Sequence, residues 1–153
     1  PEAAFLFVGD GPLRSGVERQ IAQCGLEGSV VLAGLRDDVP ALLACMDVFI
    51  LTSLWEGLPR VIVQAMAAGV PVVANGVDGV REIIRNGANG FMVDPGDTAS
   101  MADRIISLLE CPELRASVTR QAHATVRQEF SLWAMIESIE EIYGELLREK
   151  KLI

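Results

Sequence analysis

The residues best placed to do chemistry lie in one run, Thr52-Ser53-Leu54-Trp55-Glu56-Gly57-Leu58-Pro59-Arg60, which leads into the helix-length segment from Val61 to Gly69. A carboxylate, a glycine and a proline meet where an apolar strand ends and a helix begins. The first turn of a helix has N–H groups without intrahelical partners and carries partial positive charge, so it can hold an anion such as a pyrophosphate without a metal. It would donate hydrogen bonds where negative charge develops on a leaving group. Glu56 stands just before this helix and Gln64 eight residues on, inside it. Spacing leaves two readings open: Glu56 caps the helix while Gln64 faces solvent, or both face a ligand.

Two other strand ends carry similar signals. Gly9-Asp10-Gly11-Pro12-Leu13-Arg14 is a turn whose glycines let a ligand approach the backbone and whose Pro12 can open a helix. Arg14 replaces the third glycine of a dinucleotide fingerprint and no Gly-Lys-Ser/Thr follows, so neither a nicotinamide-binding turn nor a P-loop is indicated. This turn is either structural or ligand-bordering. Asn75-Gly76-Val77-Asp78-Gly79 runs into a further helix, where Glu82 either caps the first turn or helps shape the site. His123, the one histidine, lies far from these motifs and reads as a surface or packing residue.

The elements that would position these loops follow from periodicity. Short apolar runs at Phe5 to Gly9, Val30 to Gly34, Val48 to Thr52, Val70 to Ala74 and Phe91 to Asp94 alternate with amphipathic segments. The latter are Leu13 to Cys24, Val39 to Cys45, Pro59 to Ala68, Val80 to Asn86 and Thr98 to Glu110, followed by a helical tail from Pro112. Strands alternating with crossover helices predict an α/β fold, a Rossmann-like doubly wound parallel sheet in three α/β/α layers, whose ligands bind at the carboxyl ends of the strands. In the tail, Leu132, Met135, Ile136, Ile139, Ile142, Tyr143, Leu146 and Leu147 recur at helical spacing and should dock on an apolar surface. Ser131 is the expected N-cap, with Arg148, Lys150 and Lys151 placed to complement the helix dipole.

Composition narrows the function classes. The 153 residues suit one domain, able to bury roughly 68–70% of its unfolded surface. Half the residues are apolar, yet no run approaches the roughly 18 residues of a membrane span. A soluble chain is expected. The start from Pro1 to Phe5 does not resemble an export signal, and three cysteines without ligand spacing, Cys24, Cys45 and Cys111, are expected to be reduced core thiols. A cytoplasmic location follows from both. A net charge of −8 argues against a nucleic-acid partner, which would need clustered Lys and Arg.

The run LTSLWEGLPRVIVQAMAAGVPVVA (51–74) resembles the signature of family 4 retaining glycosyltransferases of the two-domain GT-B type. The likeness continues in family order through GDGP (9–12), GLRDDV (34–39), DVFILTS (47–53), DGVREIIRNGANGFMV (78–93), Phe130-Ser131 and a terminal amphipathic helix with Tyr143, covering essentially the whole chain. It implies a C-terminal donor-binding domain for a nucleoside-diphosphate sugar, such as a UDP- or GDP-sugar, facing an N-terminal domain that holds the acceptor. It implies transfer with retention of configuration, with neither cofactor nor essential metal, in polysaccharide or glycoconjugate biosynthesis. Glu56 matches the catalytic-site glutamate near the transferred sugar and phosphates. A second family glutamate, which accepts from the ribose hydroxyls, is Gln64 here. An amide offers one neutral acceptor and an NH2 donor where a carboxylate accepts from two hydroxyls with charge assistance. The loss is worth about 1.5–3 kcal/mol, or about tenfold or more in dissociation constant. By the same resemblance Gly9 and Gly11 border the nucleotide, Arg36 lies near the base, Gly57 belongs to the donor loop, and Leu58 and Pro59 bring backbone N–H groups to the sugar and phosphate.

Family members carry a strand and a helix ahead of the position of Phe5, with an Arg and a Lys that clamp the donor phosphates. In the doubly wound order 3-2-1-4-5-6 that strand is the central first one. The chain is therefore expected to be a fragment, residues 1–153 of a donor domain, inactive alone, with its final helix (131–149) packing back toward the N-terminal domain. Self-association through the truncated sheet is the associated hazard, and membrane contact would come only through the missing domain. The rival reading is a non-catalytic nucleotide-sugar-binding or interaction module, for which Gln64 speaks.

Overall fold

A computed structural model describes residues 3–150. Lys151 lies outside the described residues, as do Pro1 and Glu2 of the start. The chain divides into two compact units, 1–39 and 40–153.

The first unit contains β1 (Phe5–Val8), α1 (Arg14–Gln23) and β2 (Val30–Gly34). β1 and β2 pair in parallel, Phe5 opposite Val30 and Phe7 opposite Leu32, with a register shift at Val8. Although β1 is entirely apolar, each of its four residues is 37–48% exposed, and among the described residues its hydrogen-bonded neighbour is β2 alone. α1 buries none of its residues.

The second unit carries α2 (Val39–Leu43, which begins at the boundary), β3 (Phe49–Leu51), α3 (Arg60–Ala67), β4 (Val72–Asn75), α4 (Asp78–Ile83), β5 (Phe91–Val93), α5 (Thr98–Glu110), α6 (Pro112–Glu129) and α7 (Leu132–Glu149). β3, β4 and β5 form a parallel sheet in that order. All four residues of β4 are buried, so both its faces are covered, as its unbroken apolar run requires of a central parallel strand. Val73, Phe91, Val93, Met101, Leu108 and Val118 form the core, with Val48, Ile50, Ile105 and Leu114 packed against it. α3 contributes Ile62, Ala65 and Met66, one stripe at i, i+3 and i+4.

All strand pairings are parallel and the fold is α/β, as periodicity implies. The strands form two sheets, and among the described residues β1, β2, β3 and β5 are each paired on one side only, β4 on both. Several elements differ from their expected bounds for local reasons. β4 begins at Val72 because the Val70 N–H closes the end of α3 on Ala65 O at 2.9 Å, beside Gly69 N–H on Met66 O at 3.1 Å, a Schellman pattern. Pro71 has no N–H to offer a ladder. α1 begins at Arg14, with Leu13 as N-cap, so Pro12 lies in the preceding turn and does not open the helix. α4 starts at Asp78 and stops at Ile83, where the Arg85 N–H turns to Asn89 Oδ1 at 2.7 Å. Glu82 is consequently in its last turn, exposed, and the N-cap is Val77 without a side-chain bond; Glu82 caps nothing.

The tail is two helices. Ser131 Oγ accepts from the Ala134 N–H at 3.1 Å and starts α7, as expected. α7 buries no residue, so its apolar face, including Leu132, Met135, Ile139, Ile142 and Tyr143, has no cover among the described residues. The cysteines are free, but Cys24 and Cys45 are exposed and Cys111 half-buried. The expected burial fails because each sits at or just beyond a helix end, where side chains leave the packed face. His123 is exposed and lies against Gly69, the surface packing expected. No described helix is long and apolar enough to cross a membrane.

Candidate functional site

In the second unit the chemistry-bearing residues gather at the carboxyl end of β3. Thr52, Ser53, Leu54, Trp55, Glu56 and Gly57 line an open depression of about 570 Å³. Their loop is pinned from two directions. At the end of β4, the Asn75 side-chain amide, 5% exposed, donates to Thr52 O at 2.8 Å and to Ser53 O at 3.3 Å. At the start of α4, the Gly79 N–H donates to Glu56 O at 3.3 Å. The second contact depends on glycine, because a Cβ at residue 79 would fall 1.4 Å from Gly57 O. The sequence marks the Asn75–Gly79 run as a candidate loop but gives neither Asn75 nor Gly79 a role in holding the Glu56 loop. Their partners are backbone carbonyls more than twenty residues away, and carbonyls leave no compositional trace.

Glu56 is half-buried in this loop. It does not cap α3, whose N-cap is Pro59 in an extended conformation (φ −73°, ψ 91°) without a side-chain hydrogen bond. The capping reading of Glu56 is thereby removed. Of the first-turn donors of α3, the Ile62 N–H closes on Pro59 O at 3.0 Å, which leaves those of Arg60 and Val61, next in the chain after the Glu56 loop, for an outside acceptor. Pro59 is buried and, as a proline, has no N–H. Of the two positions expected to bring N–H groups, only Leu58, 49% exposed, can donate; the remaining donors at this corner belong to Arg60 and Val61. Gln64 is exposed in the middle of α3.

In the first unit, Gly9 closes β1 with φ 131°, a backbone conformation that L side chains rarely adopt. Its N–H donates to Gly34 O at 2.8 Å. Asp10 Oδ1 accepts from the Gly11 N–H at 2.8 Å, which folds the turn on itself. Arg14, noted in the sequence only for breaking a fingerprint, lies between Asp10 (3.5 Å) and Glu18 (2.9 Å), close to Gly34. Arg36 is exposed and engaged by Asp38 through two hydrogen bonds of 2.8 and 2.6 Å. The bond with Asp38 raises the Arg36 pKa above the usual guanidinium value, and that from Arg36 lowers Asp38 below the usual carboxylate range. Gly9, Gly11 and Arg36 thus belong to one unit, and Glu56, Gly57, Leu58, Pro59 and Gln64 to the other.

Residues 1–111 match the family described as glycosyl transferases group 1. The N-acetyl-alpha-D-glucosaminyl L-malate synthase of Bacillus anthracis is 34% identical over 150 residues, covering 98% of this chain and 39% of the relative. Among solved structures, Anabaena HepE in complex with UDP-glucose superposes with a TM-score of 0.87 at 33% identity, covering 95% of this chain and 42% of that one. The C-terminal domain of the Francisella tularensis group 1 protein LpcC shares the fold with a TM-score of 0.75 at 18% identity, covering 85% and 86% of the respective chains. The chain spans about two fifths of the length of the longer relatives. On these matches, and on the ordered loops at its strand ends, the chain belongs to the group 1 glycosyltransferase family.

Proposed function

We propose that the chain is the donor-binding half of a retaining GT-B glycosyltransferase that transfers a sugar from a nucleoside diphosphate to an acceptor. One observation carries this reading. The Glu56 loop is fixed by Asn75 and Gly79 at the mouth of a helix whose first turn has no side-chain cap. Glu56 sets the transferred sugar, while the Leu58, Arg60 and Val61 N–H groups and the dipole of α3 take up charge as the pyrophosphate departs. Preorganised donors of this kind act in the transition state without a metal. Gly9, Gly11 and Arg36 border the nucleotide and Gln64 contacts the ribose. For Arg36 to meet a base it must do so as an Asp38-neutralised pair.

The UDP-glucose complex of HepE supports a nucleotide-sugar donor, and the likeness to an isolated C-terminal domain supports assignment to that half of the fold. An N-terminal domain of the same protein supplies the acceptor site, and with it the active enzyme works in the cytoplasm; residues 1–153 alone are inactive. The test is transfer by the full-length protein, followed by NMR of the product anomeric proton. Glu56→Ala is expected to lower kcat by at least about a hundredfold, as loss of a group acting in the transition state does, and the product to keep the donor's configuration. Unimpaired transfer by Glu56→Ala, or an inverted product, overturns the reading. An unaltered nucleotide affinity with no transfer by the wild type would favour the binding-module alternative that Gln64 suggests.

A further inference from the structure

Trp55 is 82% exposed and its neighbour Leu54 63% exposed, yet neither lies on a slack segment. The loop is held on one side of them by the Asn75 amide on Thr52 O and Ser53 O. On the other side it is held by the Gly79 N–H on Glu56 O. An indole kept in water by a loop fixed at both shoulders is presented to something. The depression beside it is lined by Thr52, Ser53 and Glu56, two hydroxyls and a carboxylate that can exchange hydrogen bonds with ring hydroxyls. The indole adds the complementary part, a flat face of negative quadrupole that attracts slightly positive C–H groups. A pyranose ring has both surfaces, hydroxyls around its rim and a patch of C–H bonds on one face.

We propose that Trp55 is the stacking platform for a pyranose ring, with Leu54 extending its apolar floor and Thr52, Ser53 and Glu56 taking hydroxyls. The proposal deepens the sugar-transfer reading and rests on it. The ring belongs either to the donor or to a carbohydrate acceptor, since both offer the same C–H face.

The experiment uses the chain with Trp133→Phe, which makes Trp55 the sole indole emitter, alongside Trp55→Ala and Trp55→Phe. The probes are UDP, UDP-glucose and methyl α-D-glucopyranoside, followed by saturation-transfer NMR and by indole emission. The expected result is a change in Trp55 emission with a pyranose-bearing probe. Trp55→Ala should bind that pyranose about threefold to tenfold more weakly, Trp55→Phe should recover most of the loss, and the UDP signals should not move. A response to the free glucoside identifies an acceptor sugar, and a response to UDP-glucose alone a donor sugar. Pyranose signals that are absent, or equal in the parent and Trp55→Ala, overturn the platform. UDP binding that survives such a result leaves the donor reading intact. Loss of UDP binding alone, with the glucoside still reaching Trp55, sinks the donor reading and keeps the platform.

Discussion

A methyl group at residue 79 has nowhere to go, because its site lies 1.4 Å from the Gly57 carbonyl oxygen and the obstacle is backbone. Gly79→Ala must therefore part the start of α4 from the Glu56 loop. We expect a loss of about 1–3 kcal/mol in urea unfolding, the usual cost of overpacking. Amide shifts should concentrate between residues 53 and 58. Gly11 is the control: a Cβ there meets nothing within 4 Å, and Gly11→Ala should stay within about 0.5 kcal/mol of the parent. A Gly79→Ala protein as stable as the control would mean that the loop is not held as described. The two cases show what the sequence could and could not convey at this scale. Glu56 was legible as a candidate because a carboxylate, a glycine and a proline at a strand end form a compact local pattern. The holding roles of Asn75 and Gly79 were not, since each acts on a carbonyl that any residue would supply.

Elements were legible where local chemistry punctuates them. The bounds of α5, Thr98–Glu110, are those expected from its apolar periodicity, and Asp97 starts it by accepting from the Ser100 N–H at 3.0 Å. Hydrogen bonds from Ser100, its side chain first and its backbone N–H second, hold the Asp97 carboxyl below its ordinary value. A depressed folded-state pKa means that the ionised cap stabilises the fold above the unfolded carboxyl pKa. That contribution fades as pH falls through the lower folded value. Asp97→Ala should accordingly melt below the parent near pH 7, and the gap should narrow below about pH 4; a gap constant across that range would show that the charge of the cap is irrelevant. Strand ends were less legible. β3 and β4 are shorter or shifted because neighbouring backbone groups serve the close of α3 and the pin on Thr52 instead of the ladder. The cysteines misled for a related reason: their apolar character suggested core, but their positions at helix ends expose Cys24 and Cys45.

For the whole molecule, the parallel α/β class was legible from the alternation of strand and helix, whereas the division into two sheets turns on pairing partners. Among the described residues only β4 has a neighbour on both sides, and the four apolar residues of β1 are all partly exposed. α7 likewise presents an apolar face that nothing described covers. The chain spans 39% of the length of its B. anthracis relative, and the proposed donor-half role stands or falls on nucleotide binding. The most direct measurement is ligand-observed NMR of this chain with UDP, GDP, ADP and dTDP, repeated with Gln64→Glu. The expected result is selective binding of one nucleotide, tightened about tenfold when the carboxylate restores charge-assisted bonds to the ribose. Binding of none, or an affinity indifferent to Gln64→Glu, would contradict the proposed donor site.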